Sequence, residues 1–176
     1  MYVTMSGIYD AKAGVEGKIY YLSADNKLSL VSENLHYANG IDLTPDGKTL
    51  LVSEHFAKKV TRFSVSSPGK LSNRGTFVDL FKMLGEPEGD NVYTGPDGLR
   101  IDSKGRVFIC QNGANRIVVT DSGGKLLKVI NVPTKYITNV NFGENENTLY
   151  VTAATDANNA PYPGEVYKIS NWHHFE

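Results

Sequence analysis

The residues whose types could do chemistry are few and scattered along the chain. Glu54 and His55 stand side by side after an apolar strand, and a carboxylate next to an imidazole that titrates near neutrality could share acid and base work. Their place at the corner of an extended segment favours a histidine that simply bonds backbone. Ser53 lacks the Gly-x-Ser-x-Gly setting that activates a serine nucleophile. His173 and His174 are adjacent beside Trp172, not four apart on a helix as in a metalloprotease pair, and read as a disordered terminus. Cys110 lies in the apolar run Val107 to Cys110 and reads as a buried small hydrophobe. Ser122-Gly123-Gly124-Lys125 lacks the spacing of a phosphate-binding loop and reads as a hairpin turn. Asn39-Gly40 and Asp97-Gly98 carry oxygen-donor side chains in dipeptides that also make ordinary turns. The organisation of the chain around them decides between the two uses.

That organisation is a repeat. Asn39-Gly40-Ile41-Asp42-Leu43-Thr44-Pro45-Asp46-Gly47-Lys48 leads into Leu50-Leu51-Val52, and Asp97-Gly98-Leu99-Arg100-Ile101-Asp102-Ser103-Lys104-Gly105-Arg106 leads into Val107-Phe108-Ile109. A weaker copy runs from Thr138-Asn139-Val140-Asn141-Phe142-Gly143 to Leu149-Tyr150-Val151-Thr152, so the copies start 58 and 42 residues apart. Each is followed by another extended segment, Val60 to Val65, Ile117 to Val119 and Val166 to Ile169, with a further example upstream at Ile19 to Leu22. Asp46-Gly47, Pro68-Gly69, Lys104-Gly105 and Gly123-Gly124 supply turns between them. Four short strands per unit of roughly 40 to 50 residues is the pattern of a propeller blade. The chain therefore reads as all-β, a β-propeller with two full blades, residues 36–94 and 95–136, flanked by partial blades at 1–35 and 137–176. One short helical stretch is expected around Val78 to Leu84.

Composition bounds the function classes. The chain has 176 residues, a formal net charge of -1 and a single cysteine, which excludes a basic nucleic-acid binder, an internal disulfide and a Cys-rich zinc site. The strand aromatics, among them Tyr20, Tyr21, Phe63, Phe108, Phe142 and Tyr150, have no basic cluster beside them and read as packing between blades. No apolar run reaches the roughly 18 residues of a membrane span, and the start at Met1 has no secretory pattern, so a cytoplasmic location is the expectation.

The three repeat segments, in their order and spacing, resemble the SMP-30/gluconolactonase/luciferin-regenerating-enzyme-like group of six-bladed β-propellers, and the likeness covers nearly the whole chain. The resemblance implies a divalent-metal-dependent lactonase or esterase, with calcium or zinc at the mouth of the central channel. It places Asn39 and Asp97 on two of the metal ligands, makes Asp97 the general base, and sets Thr138 and Asn139 at the equivalent entrance of the last blade, lining the same cavity. Amide and carboxylate oxygens suit a hard cation. A third carboxylate could come from Glu86, Glu88 or Asp90, although an acidic loop of this kind is ordinarily solvated. The family's full chain holds about two blades more at roughly 45 residues each, on the N-terminal side, and these would carry another ligand, the substrate-holding residues and the strand that closes the ring.

Three functions follow as expectations. The first is a metal-dependent hydrolase that opens a lactone or small ester, inactive if the missing blades are required. The second is a non-catalytic binding or assembly module, with incomplete blades pairing two copies into a homodimer. The third is a strictosidine-synthase-like propeller without a metal-dependent lactonase site.

Overall fold

The computed structural model describes residues 1–86, 92–157 and 159–174. Glu88 and Asp90, offered above as carboxylate donors, lie outside the described residues. The described strands form four antiparallel sheets. The first holds β1 (Tyr2–Met5), β2 (Gly17–Leu22) and β3 (Leu28–Leu35). The second runs β4 (Ala38–Leu43), β5 (Thr49–Glu54), β6 (Lys59–Ser67) and β7 (Lys70–Asp79). The third runs β8 (Gly95–Ile101), β9 (Val107–Asn112), β10 (Arg116–Thr120) and β11 (Leu126–Asn131). The fourth holds β12 (Tyr136–Phe142), β13 (Thr148–Ala154) and β14 (Gly164–Ser170). Every sheet is an up-and-down meander, and successive sheets pack face to face, which is the propeller arrangement expected from the repeat.

The inner strands β4, β8 and β12 stand next to one another. In the first sheet β1 packs beside β4 as β5 packs beside β8, so β1 holds the second position of its blade and has no strand inside it among the described residues. The fourth sheet has an inner strand and ends at β14.

The alternation along each second strand explains why the sheets stack. Successive side chains point to opposite faces, and on β5 Leu50 and Val52 enter the core shared with the first sheet while Leu51 enters the core shared with the third. On β9, Val107 and Ile109 join Leu51, whereas Phe108 and Cys110 face the fourth sheet with Leu149 and Val151. Such strands are buried on both faces, so they read as continuous apolar runs. Burying each of these side chains stabilises by about 1.5 to 3 kcal/mol.

Turn chemistry recurs with the blades. Asp46 Oδ1 accepts from Lys48 N at 3.0 Å, Asp102 Oδ1 from Lys104 N at 3.0 Å and Asp121 Oδ1 from Gly123 N at 2.9 Å. The expected helix is shorter than the apolar stretch suggested. It spans Leu80–Leu84 as α1, because Val78 pairs with Val60 in the sheet and Asp79 caps the helix by accepting from Lys82 N. The C-terminal reading also changes. Trp172–His174 form a 3-10 turn in which Trp172 is buried, its Nε1 donating to Glu146 O at 2.7 Å.

Candidate functional site

Asn39 and Asp97 are strand residues. Both lie within inner strands, and at both the ladder slips, between Ala38 and Ile41 in one blade and between Pro96 and Leu99 in the next. Each slip is a bulge that sets two residues against one and turns a side chain out of the regular alternation. The glycines after them have no positive φ and are not turn glycines. Their small size is needed because the inner strands approach closely. A Cβ on Gly40 would stand 2.4 Å from Asp97 O, and one on Gly98 would stand 2.4 Å from Asn139 Oδ1. The Asn-Gly and Asp-Gly dipeptides thus combine a re-aimed polar side chain with a residue small enough to let the next blade in.

The bulges bring Asn39 and Asp97 to one cavity of about 460 Å³, lined also by Tyr37, His55, Asn112 and Lys135. The Asp97 carboxyl receives hydrogen bonds from the Asn39 side chain, from Asn112 Nδ2 at 3.2 Å and from the Gly98 backbone. No ion pair of Asp97 is found among the described residues. Burial pushes its pKa up to about 7, and the three hydrogen bonds offset only part of that rise. A carboxyl poised near neutrality is suited to taking and returning a proton.

Thr138 and Asn139 occupy the matching bulge of β12, but they do not line the Asp97 cavity. Thr138 Oγ1 bonds Thr152 Oγ1 at 2.9 Å, and Asn139 lines a neighbouring pocket of about 320 Å³ with Arg100, Tyr150 and Thr152. Gly98 packs directly against them, since a Cβ there would stand 2.4 Å from Asn139 Oδ1 and 2.6 Å from Thr138 O. Glu86, the described member of the acidic loop, is turned away to Gln111 Nε2 and the Arg116 guanidinium.

Glu54 and His55 do not act as a pair. Burial would raise the Glu54 carboxyl, but Thr61 Oγ1, His36 N, Lys59 and Arg74 together hold it below its ordinary range, which makes it a structural anion. His55 points the other way. Its Nε2 donates to Tyr93 O at 3.1 Å, its Nδ1 is buried without a hydrogen-bond partner, and burial with the Lys58 cation nearby lowers its pKa to about 4. It is a neutral imidazole in the cavity wall. Asn112, Tyr37, Lys135 and the wall role of His55 were not foreseen. The repeat contained a signal, since Ala38 pairs with Glu54 as Pro96 pairs with Gln111, which makes the next residues, His55 and Asn112, equivalent.

For a hard divalent cation, the Asn39 amide and the Asp97 carboxylate are suitable donors, and a partly buried carboxylate with no ion pair among the described residues is what such an ion would neutralise. No cluster of three or more His, Cys, Asp or Glu that could hold a metal ion exists among the described residues.

The inner-strand bulges, the stacked four-stranded sheets and the polar cavity where the inner strands meet define a portion of an SMP-30-type β-propeller. The family model for the SMP-30/Gluconolactonase/LRE-like region matches residues 1–155, and the chain belongs to that family. It is 30% identical over 164 residues to regucalcin from Xenopus laevis, covering 88% of this chain and 52% of that protein. It is 29% identical over 140 residues to a pentonolactonase from Haloferax volcanii, covering 78% of this chain and 45% of that protein. Its fold matches the crystal structure of a calcium-binding protein, regucalcin, from Agrobacterium tumefaciens with a TM-score of 0.77 at 21% identity, over 96% of this chain and 56% of the other. The chain spans about half the length of these relatives. No described helix is long and apolar enough to cross a membrane.

Proposed function

We propose that the Asp97 cavity is the catalytic part of a lactone- or small-ester-opening hydrolase site. The carrying observation is the Asp97 carboxyl itself, half-buried on an inner-strand bulge at the cavity and held between two amides, with a pKa raised to about 7. Membership of a family that includes a pentonolactonase supports the same reaction class. Asp97, in its ionised form, takes a proton from a water molecule in the cavity as that water adds to the lactone carbonyl. The ring C–O bond then breaks, and Asp97 returns the proton to the departing alkoxide, leaving a hydroxy acid. Asn112 keeps the carboxylate oriented throughout. Asn39 and Asp97 would hold a divalent cation, calcium or zinc. When bound, such an ion supplies Lewis-acid polarisation of the carbonyl and lowers the Asp97 pKa.

The test is titration calorimetry of the chain with calcium and then zinc beside Asp97→Ala, with lactone opening followed by base uptake at constant pH. Metal binding and turnover lost in Asp97→Ala support the proposal. Turnover that survives Asp97→Ala removes it.

The second reading, an assembly module, draws on the open sheets. β1 presents one unpaired side with Val3 39% and Met5 43% exposed, and Val166 on β14 is 69% exposed. We propose that a second copy covers these apolar edges in a homo-oligomer. Light scattering at several concentrations decides it, since a strictly monomeric mass excludes the pairing.

A further inference from the structure

The pocket beside Asn139 shares no residue with the Asp97 cavity and has a chemistry of its own. Along β12 the order Asn139-Val140-Asn141 alternates, and Val140 enters the core shared with the third sheet. The two asparagines therefore face away from that core, beside Thr152 and Tyr150, their cross-strand partners on β13. Arg100, from β8 of the third sheet, completes the lining of this space of about 320 Å³.

What this lining offers is donors. Asn139 Oδ1 accepts from Val140 N at 2.9 Å, and Asn141 Oδ1 accepts from Phe142 N at 2.9 Å. A backbone N–H can only donate, so in both amides the oxygen is turned to the main chain and the Nδ2 amino group is the end left for a ligand. The Thr152 hydroxyl is taken up by Thr138 at 2.9 Å. Arg100 is the one charged side chain of the lining, which holds no Asp or Glu. Its Nε is buried without a hydrogen-bond partner, whereas the side chain as a whole is 43% exposed, so the charge is partly stripped of water and still reachable. The nearest carboxylate compensates it loosely. Asp42 Oδ2 stands 3.5 Å from Arg100 Nη1, longer than the roughly 2.7 to 2.9 Å of a charge-assisted hydrogen bond. Both Asp42 oxygens are also engaged by main chain, Oδ2 accepting from Ile101 N at 2.9 Å and Oδ1 from Leu43 N at 2.9 Å.

We propose that this pocket is a second binding site, for a small oxyanion: the carboxylate or phosphate group of a small-molecule ligand. The Arg100 guanidinium donates to its oxygens, as a planar fork does with either group. The Asn139 and Asn141 amino groups donate to the remaining oxygens or to hydroxyls beside the charge, while Val140 and the Tyr150 ring form the apolar side. An uncharged polyol would meet the same amides but leave the arginine charge uncompensated. The proposal is independent of the hydrolase reading, since none of its residues lines the Asp97 cavity.

The probes are inorganic phosphate, glycerate and glycerol, the last being an uncharged counterpart of glycerate. Each is titrated into the metal-free chain and followed by NMR through the Arg100 Nε–H signal and the backbone amides of Asn139 and Asn141. At least one of the two anions is expected to shift these signals saturably at millimolar concentration, and the one that binds more tightly names the group the site prefers. Glycerol at the same concentration should leave them in place. Arg100→Gln should weaken the bound anion about tenfold or more, and Arg100→Lys less, because the charge remains and only the fork is lost. Asp97→Ala should not weaken it. Each variant is checked for an unchanged urea midpoint and, because Val166 pairs with Thr152 on this face, for an unchanged mass by light scattering. No saturable shift with either anion in the native chain overturns the proposal, as does an equal response to glycerol or an affinity indifferent to Arg100→Gln. Anion binding lost in Asp97→Ala assigns the ligand to the other cavity and overturns it as well.

Discussion

Asn112 joins Asp97 to the next blade: its Nδ2 donates to Asp97 Oδ2 at 3.2 Å and to Ile137 O at 3.1 Å. One amide thereby fixes the orientation of the carboxyl and ties the third sheet to the inner strand of the fourth. Asn112→Leu keeps the approximate volume and removes both donations. It should destabilise the chain by about 1 to 3 kcal/mol in urea unfolding, because Ile137 O and the carboxyl lose a partner in a buried place. It should also move the Asp97 pKa upward from about 7, since that bond favours the ionised form. Carboxyl carbon NMR of Asp97 through a pH titration reads the second effect, and an unchanged or lower value contradicts it.

His55 gives a stability difference with a defined sign. Its pKa is about 4 in the folded chain against 6.5 in the unfolded one, so the unfolded state takes up the proton first. The stability contributed by the neutral imidazole is complete above pH 6.5 and is lost as the pH falls to about 4. The whole difference is about 3 kcal/mol. Asp97 acts oppositely, because its raised pKa makes the folded state bind the proton first between about 7 and 3.8. The native curve alone therefore looks flat. Unfolding free energies of native chain and His55→Gln, compared without metal at neutral pH and near pH 4.5, isolate the histidine. The native chain should lose on the order of 3 kcal/mol relative to the variant on acidification, and parallel curves would contradict the assignment.

Much of the architecture was legible because blade-forming strands repeat. Leu50 to Val52 and Val107 to Cys110 are apolar throughout because they are covered on both faces, and the Asp-Gly and Lys-Gly turns between them recur at the same phase. The cavity was half legible. Asn39 and Asp97 stood out through their place in the repeat, yet nothing in a linear reading says that a bulge brings both to one cavity or that Asn139 lines another pocket. The cluster of rings that Tyr9, Tyr37 and Tyr93 form beside the Asp97 cavity was invisible for a related reason. Tyr9, Tyr37 and Tyr93 sit in loops or at strand ends, where no periodicity operates, and they meet only when three sheets are stacked. Trp172 was misread for want of a sequence signal that a turn after β14 folds back onto Glu146.

Trp172 closes the last interblade core. Its ring meets Phe108 edge-on at 4.8 Å, the Arg106 guanidinium lies 4.7 Å above it, and its Nε1 donates to Glu146 O. Trp172→Ala should cost about 3 to 5 kcal/mol, and Trp172→Phe, which sacrifices mainly the hydrogen bond and some area, about 1 to 2 kcal/mol. Thermal or urea unfolding followed by circular dichroism checks both. A loss below about 1 kcal/mol for the alanine variant would place the turn outside the cooperative fold.

The two glycines beside the candidate site should be hard to replace, for a reason that a comparison with a third glycine isolates. At Gly47 a Cβ meets nothing within 4 Å, but φ is +69, so Gly47→Ala suffers backbone strain alone, about 1 to 2 kcal/mol. At Gly98 φ is ordinary, but a Cβ would lie 2.4 Å from Asn139 Oδ1 and 2.6 Å from Thr138 O, and the second of these is backbone that cannot swing aside. Gly40 is tighter still in kind, since its near atoms, Asp97 O at 2.4 Å and Leu99 N at 2.6 Å, are all main chain. Inserting a methyl group there must push β4 away from β8 and move Asp97 from Asn39. Gly40→Ala and Gly98→Ala should therefore each destabilise by more than Gly47→Ala, toward the upper end of the roughly 1 to 3 kcal/mol seen for overpacking. Gly40→Ala should in addition disturb the Asp97 titration, whereas Gly47→Ala should leave it where it is. If Gly40→Ala melts with the native chain and leaves the Asp97 carboxyl unshifted, the inner strands are not packed as closely as the two bulges require.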